Sequence, residues 1–243
     1  MFDAKDVRRR IVEWIADYFE ASAPAGTKAV IGISGGKDSS VSAALCAEAL
    51  GAGRVVGVLM PQGIQHDIGV SHDLCETLGI PYVVINVGKP VRDLYEEISA
   101  AGLETNDMAE FNTPPRVRMA ALYAVSAIVG GRVSNNSNLS EDWVGYATKF
   151  GDTAGDFGPL SDLTVTEVKA VGRELGLAAG FTEKTPIDGL CGRTDEENLG
   201  FTYAVLDRYI REGICEDEAV REKIDRLHRM NLHKLNPMPV FKL

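Results

Sequence analysis

Near its N-terminus the chain alternates between short apolar runs and segments of helical length. The runs at 28–33, 54–60 and 82–87 are rich in β-branched residues and have the length of buried strands. The segments between them, 38–51 and 66–79, each end at a glycine, which commonly terminates helices. Strands that alternate with helices favour a parallel sheet with right-handed crossovers. We therefore predict an α/β fold, a doubly wound parallel sheet with flanking helices.

Further elements are predicted outside this alternation. A strand at 132–137 runs into a polar loop, and a second loop-rich stretch follows it. Apolar spacing or a proline near a first helical position indicates additional helices. These are 5–21, 114–130, 163–177 and 194–213, the last being one helix or two. Because no repeat or linker interrupts the chain, a single domain of residues 1–243 is expected.

The composition disfavours several classes of protein. A net charge of −10 argues against a general nucleic-acid binder. No apolar run approaches the roughly 18 residues of a membrane span. The N-terminus also lacks the apolar core of a signal peptide, so we expect a cytoplasmic protein without membrane contact. The four cysteines are scattered without CxxC spacing, which predicts free thiols and no zinc site.

Positive charge is concentrated at the C-terminus. Residues 221–243 contain six Lys or Arg against two acids, so this segment is near +4 and the rest of the chain near −14. Two interpretations stay open: a solvated basic helix, or a tail that contacts a phosphate-bearing ligand.

The sequence SGGKDSS, residues 34–40, lies where the first predicted strand meets the helix that follows it. Ligands of open α/β sheets bind at the carboxyl ends of the strands, and a helix N-terminus there favours phosphate. Gly35 and Gly36 allow the backbone to approach an anion closely, and three serines supply hydroxyl donors. Because Asp38 would repel a bare phosphate, it indicates an intervening Mg²⁺.

Two familiar nucleotide motifs are absent from this turn. The Walker A pattern requires Ser or Thr after its lysine, whereas Asp38 follows Lys37. The glycines also have the wrong spacing for GxGxxG. An ordinary tight turn, capped by Asp or Ser, is the alternative to a phosphate site.

The turn resembles the SGGxDS pyrophosphate loop of the N-type ATP pyrophosphatases. In that superfamily the loop binds the β- and γ-phosphates of ATP while the α-phosphate is attacked, which gives an adenylate and pyrophosphate. The resemblance implies an ATP site made of Gly32, Ile33, Ser34, Gly35, Gly36, Lys37, Asp38, Ser39, Ser40 and Met60.

Later segments resemble ammonia-dependent NAD⁺ synthetase, a family within that superfamily. They are FNTPPRVRMAALYA (111–124), SEDWVGYATKFGDTAGDFGPLSDLTVTEV (140–168), GLCGRTDEENLGFTYAVLDRYI (189–210) and HKLNPMPVFKL (233–243). In this family ATP adenylates the nicotinate carboxylate of deamido-NAD⁺, and ammonia then displaces AMP to form NAD⁺. The resemblance implies an adenine nucleotide alpha hydrolase-like fold, with Mg²⁺ as cofactor and ATP as co-substrate.

The resemblance also implies roles for individual residues. Asp38 and Glu141 are the catalytic carboxylates that would bind Mg²⁺. The residues that would bind deamido-NAD⁺ are Arg116, Lys149, Asp156, His233 and Lys234. Plainer interpretations stay open: Glu141 could be a helix N-terminal acid, Lys149 a surface lysine, and 233–234 part of a mobile tail.

The chain departs from the family pattern at several positions. Asn135-Asn136 stands where the family has Gly-Thr, and Pro114 stands where it has Gln. Val165 stands where the family has Lys, and Ile187 stands where it has Ser or Thr. All but the proline fall on the ATP side in the family. We therefore expect either a divergent synthetase with altered ATP contacts or a relative with lost or changed activity. Lys37 could replace the missing lysine in part.

The resemblance leaves the following expectations about nitrogen source, assembly and competing functions. No cysteine lies in an identifiable Cys/Glu/Lys constellation of a glutamine-using domain, so free ammonia or a separate amidotransferase is expected to supply the nitrogen. The family implies a homodimer.

One competing function is an adenylating enzyme that acts on tRNA or another carboxylate, although the net charge disfavours tRNA. The other is a nucleotide-binding remnant, which Val165 favours.

Overall fold

The computed structural model describes residues 2–183 and 194–242 and is built around a parallel sheet. The described residues contain four strands, in the order β3-β2-β1-β4, and all neighbouring pairs are parallel. The strands are β1 Lys28–Gly32, β2 Val55–Leu59, β3 Tyr82–Val84 and β4 Gly131–Val133. The predicted parallel α/β sheet is thus confirmed.

Helices occupy most of the remaining described chain. They are α1 Ala4–Ser22, α2 Lys37–Leu50, α3 Ile68–Leu78, α4 Gly88–Ala100, α5 Asp107–Val129, α6 Leu139–Val144, α7 Val165–Glu174, α8 Ala179–Thr182, α9 Asp195–Leu199, α10 Tyr203–Glu212 and α11 Glu218–Leu235. None of the helices in the described ranges is long and apolar enough to cross a membrane.

Alternate residues of β1 serve two cores, one on each face of the sheet. Ala29 and Ile31 are fully buried in a cluster with residues of α1, α2, α3 and α7. Val30 points to the other face, where Met119 and Leu122 of α5 pack against it in a second cluster. Since successive strand side chains point to opposite faces, this burial confirms that helices cover both sides of the sheet.

A third apolar cluster joins α6, α7, α9, α10 and α11 at one end of the sheet. Its members include Val144, Val165, Leu206 and Ile224, all at most 4% exposed. Ile224 is the buried residue of α11 and attaches the basic C-terminal segment to this cluster. The basic segment is therefore helical as far as Leu235 and is anchored by apolar packing.

Some predicted element bounds were wrong. The helix predicted to start near Pro114 begins at Asp107, because the Asn106 side chain caps it by accepting a hydrogen bond from the Ala109 N–H at 3.0 Å. Both prolines of this segment therefore lie inside α5. We predicted neither α4, which buries only Val91, nor the six-residue α6. The 194–213 segment forms two helices, separated by a left-handed glycine at position 200.

The cysteines of the described residues are free thiols, as predicted. Cys46 and Cys75 are buried and Cys215 is half-buried. Burial raises the pKa of Cys46 to about 12 and that of Cys75 to about 11, which makes both thiols poor nucleophiles. Cys191 lies outside the described residues.

Candidate active site

The turn between β1 and α2 presents backbone N–H groups at the carboxyl end of the sheet. Gly35 has a φ of +77°, a region that favours glycine. A Cβ at this position would lie 3.1 Å from Ser71 Oγ and 3.3 Å from Val70 Cβ, so a larger residue would be both strained and crowded. Gly36 is the N-cap of α2, and no side chain caps this helix. The first-turn N–H groups therefore suit an anion.

Hydroxyl groups brace the turn from inside. Ser34 Oγ accepts a hydrogen bond from the Gly36 N–H at 3.2 Å and lies 3.1 Å from Ser39 Oγ. The Ser40 hydroxyl donates to the Gly36 carbonyl at 2.8 Å. Ser39 and Ser40 are buried, whereas Ser34 is exposed. Of the three serines predicted to bind ATP, Ser34 is thus the one that faces solvent.

The other residues predicted to bind ATP differ in whether their side chains or only their backbone groups could contact a nucleotide. The Ile33 side chain is 4% exposed and belongs to the main core, so only its backbone can face a nucleotide. Gly32 packs against Met60, since a Cβ at position 32 would be 3.2 Å from Met60 Cε. The Met60 carbonyl accepts a hydrogen bond from Arg118 Nε at 3.1 Å. This contact ties the end of β2 to α5.

Lys37 bridges the two predicted magnesium carboxylates. Its Nζ lies 2.8 Å from Asp38 Oδ2 and 3.1 Å from Glu141 Oε1. The lysine side chain is only 2% exposed, and the carboxylates are 20% and 17% exposed. The fold thus brings together Asp38 at the start of α2 and Glu141 in the first turn of α6, as the resemblance implied.

Asn138 links the Asp38 carboxylate to the helix that carries Glu141. The residue is fully buried, and its Nδ2 donates to Asp38 Oδ1 at 3.0 Å. Its Oδ1 accepts the Glu141 N–H at 3.1 Å, which caps α6. Asn138 was not among the predicted site residues, although an Asn three residues before Glu141 is a recognisable helix N-cap signal.

The charges of Lys37, Asp38 and Glu141 are only partly balanced. Burial, followed by the nearby Asp38 carboxylate, raises the pKa of Glu141, and the opposing effect of Lys37 does not cancel this rise. The pKa of Lys37 is raised, since the two carboxylates outweigh the effect of its burial. One ammonium therefore faces two carboxylates, and the group favours additional positive charge.

The departures from the family pattern have local explanations in the structure. Val165 is 4% exposed and packs in the third cluster, while its N–H donates to Ser140 Oγ at 3.0 Å. Ser140 also donates to the buried Asp207 at 2.5 Å, which links α6 to α7 and α10. Asn136 Nδ2 donates to the Gly32 carbonyl at 3.1 Å, beside the turn. Ile187 lies outside the described residues.

Three of the predicted dinucleotide residues form a second group. Arg116 Nε donates to the Lys149 carbonyl at 3.1 Å, and Lys149 Nζ donates to the His233 carbonyl. The His233 ring Nδ1 lies 3.0 Å from the Met230 carbonyl of its own helix. The structure thus brings residues from α5, the loop after α6 and α11 to one place.

The remaining two dinucleotide residues have structural contacts of their own. Lys234 Nζ donates to the carbonyls of Gly145 and Ala147, at 2.7 and 2.8 Å, just after α6. Asp156 accepts the Val133 N–H at 2.7 Å and the Tyr123 hydroxyl at 3.2 Å, one on each carboxylate oxygen. Neither contact joins these residues directly to the Arg116–Lys149–His233 group.

Comparison with protein families gives a match over nearly the whole chain. The NAD synthase model matches residues 7–239. An NH(3)-dependent NAD(+) synthetase from Pyrococcus furiosus is 34% identical over 239 residues, covering 93% of this chain and 91% of the relative. Its counterpart from Archaeoglobus fulgidus is 35% identical over 243 residues, covering 96% and 97%.

Solved structures agree with this assignment. The structure of NMN synthetase from Francisella tularensis has a TM-score of 0.90 and 28% identity, and all of both chains is covered. NAD⁺ synthetase from Burkholderia pseudomallei has a TM-score of 0.79 and 31% identity, with 97% of this chain and 91% of that chain covered. The predicted adenine nucleotide alpha hydrolase-like fold is confirmed, and the chain belongs to the NAD synthase family.

Proposed function

We propose that this protein is an ammonia-dependent synthetase that amidates deamido-NAD⁺ to NAD⁺ and converts ATP to AMP and pyrophosphate. The observation that carries this proposal is the match to NH(3)-dependent NAD(+) synthetases, which covers more than nine tenths of this chain. The reaction passes through an adenylate: a nicotinate carboxylate oxygen attacks the α-phosphorus, pyrophosphate leaves, and ammonia then attacks the acyl carbon and releases AMP.

The residues of this chain would act mainly by positioning and charge stabilisation. The N–H groups around Gly36 would bind the phosphates that become pyrophosphate. The cations Arg116, Lys149 and Lys234 would bind the phosphates of the dinucleotide, with His233 beside them. These cations hydrogen-bond to neutral carbonyls, so their positive charge is not neutralised by the contacts described above.

The donor set at Asp38 and Glu141 fits Mg²⁺. Magnesium in phosphoryl-transfer sites is held by one or two carboxylates together with substrate phosphates. The described residues contain no cluster of three or more His, Cys, Asp or Glu suited to a metal ion. Two carboxylates with an excess of negative charge therefore match a metal that shares its ligands with ATP. When bound there, Mg²⁺ would offset the charge of the leaving pyrophosphate.

A second candidate substrate is the corresponding mononucleotide. The likeness to the Francisella tularensis NMN synthetase, with a TM-score of 0.90, exceeds that to the Burkholderia pseudomallei enzyme, at 0.79. Both substrates would carry the same nicotinate carboxylate, so the adenylation chemistry would be unchanged. They differ in the adenylyl half, which the mononucleotide lacks.

One competition assay tests both candidates. The protein is incubated with ATP, Mg²⁺, ammonium and equal concentrations of deamido-NAD⁺ and nicotinate mononucleotide, and NAD⁺, NMN and AMP are quantified. NAD⁺ formed in equal amount to AMP supports the main proposal, whereas predominant NMN supports the second candidate. AMP formed only with tRNA or another carboxylate, or nucleotide binding without turnover, would overturn both.

We also propose a homodimer and a cytoplasmic location, as the family resemblance implies. Sedimentation equilibrium tests the assembly: a mass near twice 26.2 kDa is expected, and a monomer at micromolar concentration would contradict it.

A further inference from the structure

Lys37 places a buried positive charge against both carboxylates of the proposed magnesium site. Its Nζ contacts Asp38 at 2.8 Å and Glu141 at 3.1 Å, and the Tyr203 ring centroid lies 5.8 Å away. A lysine that is 2% exposed is stable only if its charge is compensated, and these two carboxylates supply the compensation. The lysine is thus part of the site and not an incidental loop residue.

The elements that carry the two carboxylates are linked independently of the lysine. Asn138 donates to the Asp38 carboxylate and accepts from the Glu141 backbone N–H, so it ties the start of α2 to the first turn of α6. Two carboxylates at such close range repel each other, and a cation is needed to hold both ionised. When both carboxylates are ionised, Lys37 supplies one positive charge against two negative charges.

We propose that Lys37 is a built-in counter-ion that competes with Mg²⁺ for the Asp38–Glu141 pair and leaves at least one carboxylate when the metal binds. The oxygens that accept the ammonium hydrogen bonds are the ligands that a hard dication takes. Two cations at such short range also repel strongly in a buried site. The released Nζ, still within the phosphate turn, is then free to bind a phosphate oxygen.

This inference rests on the proposed function for the presence of Mg²⁺ at the pair. It assigns Lys37 a role different from the partial replacement of the family lysine at position 165. The Val165 side chain packs in the apolar third cluster, whereas Lys37 Nζ contacts the Asp38 and Glu141 carboxylates, which compensate its charge.

The test measures metal binding without any substrate. Lys37→Met keeps the length of the side chain but removes its charge. Mn²⁺, a spectroscopic substitute for Mg²⁺, is titrated into wild type and variant and followed by electron paramagnetic resonance. We expect the variant to bind Mn²⁺ about tenfold more tightly, because a competing cation is gone. Mg²⁺ should likewise raise the Tm of the variant more than that of wild type. Equal or weaker Mn²⁺ binding by the variant overturns the proposal.

A matched control and a second variant keep the test decisive. Lys89→Met removes an exposed lysine that pairs with Asp93 on α4, and it should leave Mn²⁺ binding unchanged. If Lys37→Met does not fold, the double variant with Glu141→Gln is examined, since it removes one charge of each sign. A folded double variant supports the counter-ion role, and a double variant as unstable as the single one overturns it.

The substrate assay is kept separate. Failure of wild type to amidate either nicotinate substrate would refute the proposed function. The Mn²⁺ affinities of wild type and Lys37→Met could still be compared, because that titration uses no substrate. Unchanged Mn²⁺ affinity in an active enzyme would refute only the role of Lys37.

Discussion

The two halves of the candidate site handle charge in opposite ways. In the first, which we call the carboxylate region (Lys37, Asp38, Asn138 and Glu141), the cation is buried and paired with acids. In the second, the cation region (Arg116, Lys149, His233 and Lys234), the cations donate to backbone carbonyls. A carbonyl orients an ammonium or guanidinium group but does not neutralise it.

This difference indicates how each region meets a polyanionic substrate. The carboxylate region is assembled before ATP arrives, and it requires added positive charge before it can accept phosphates. The carbonyl partners of the cation region do not neutralise its positive charge, while the Asp152 carboxylate attracts Lys234. Each cation can exchange a carbonyl for a phosphate oxygen. We therefore propose that the first region depends on a metal, and the second on rearrangement of side chains that are exposed or half-buried.

The largest expected effect is in the carboxylate region. Asp38→Ala should lower the rate of NAD⁺ and AMP formation by about a hundredfold or more, because the proposed metal ligand and a fixed negative charge are lost together. The rate is measured at saturating ATP and Mg²⁺. Asp93→Ala, at an exposed position of α4, is the control and should retain wild-type activity. Near-normal activity of the Asp38 variant would rule out the magnesium role.

The second prediction concerns the apolar support of the carboxylate region. Val165→Lys restores the residue that the family has at this position, but it places a charge in the third cluster. We expect a loss of about 2 kcal/mol or more in the free energy of unfolding, measured by urea titration, with no gain in ATP affinity.

Val205→Lys provides the control for that substitution. Val205 is 38% exposed on α10, so the same change there should shift the free energy of unfolding by no more than about 0.5 kcal/mol. If Val165→Lys is as stable as wild type and binds ATP more tightly, the lysine reaches the nucleotide, and our account of position 165 is incorrect.

The sequence predicted the carboxylate region better than the contacts that assemble it. The turn could be predicted because its chemistry is local: Gly35, Gly36 and Asp38 lie close together in the sequence, between a short β-branched run and a segment of helical length that ends at a glycine. The bridge from Lys37 to Glu141 spans 104 residues, and the role of Asn138 depends on a contact across 100 residues. No local pattern predicts such pairs, because tertiary packing brings them together.

The departures from the family pattern show the same limit. At position 165 the sequence reveals only that a lysine is missing. The structure adds that Val165 packs with Leu206 and Ile224, and that its N–H is held by Ser140. The sequence thus predicts that a charge is absent at position 165, but it does not predict the apolar packing that the structure shows there.

The third prediction addresses the cation region. Lys149→Ala should raise the KM for the nicotinate substrate about tenfold, since a charged hydrogen bond to a phosphate is lost. The Tm should stay close to that of wild type, because the contacts of the lysine side chain within the described residues are with the His233 carbonyl and the exposed Phe150 ring. Lys89→Ala serves as the control for a surface charge. A large fall in Tm with an unchanged KM would make Lys149 a structural residue.

The smallest effect is expected at His233, and His228 on the same helix provides the comparison. The His233 ring contacts only the Met230 carbonyl among the described residues, so His233→Ala should raise the substrate KM no more than about fivefold and leave stability unchanged. The His228 ring stacks on Trp143 at 4.1 Å, and its Nδ1 lies 2.9 Å from the Trp143 carbonyl.

His228→Ala should therefore show the opposite pattern. We expect a loss of about 1 kcal/mol in the free energy of unfolding, with the substrate KM unchanged. Urea titration and initial-rate kinetics on both histidine variants separate the two roles. Both residues lie on α11, so equal effects on stability and KM would show that the two histidines do not have distinct roles. The helix α11 would then not divide into a part at His228 that anchors it by packing and a part at His233 that contacts the substrate.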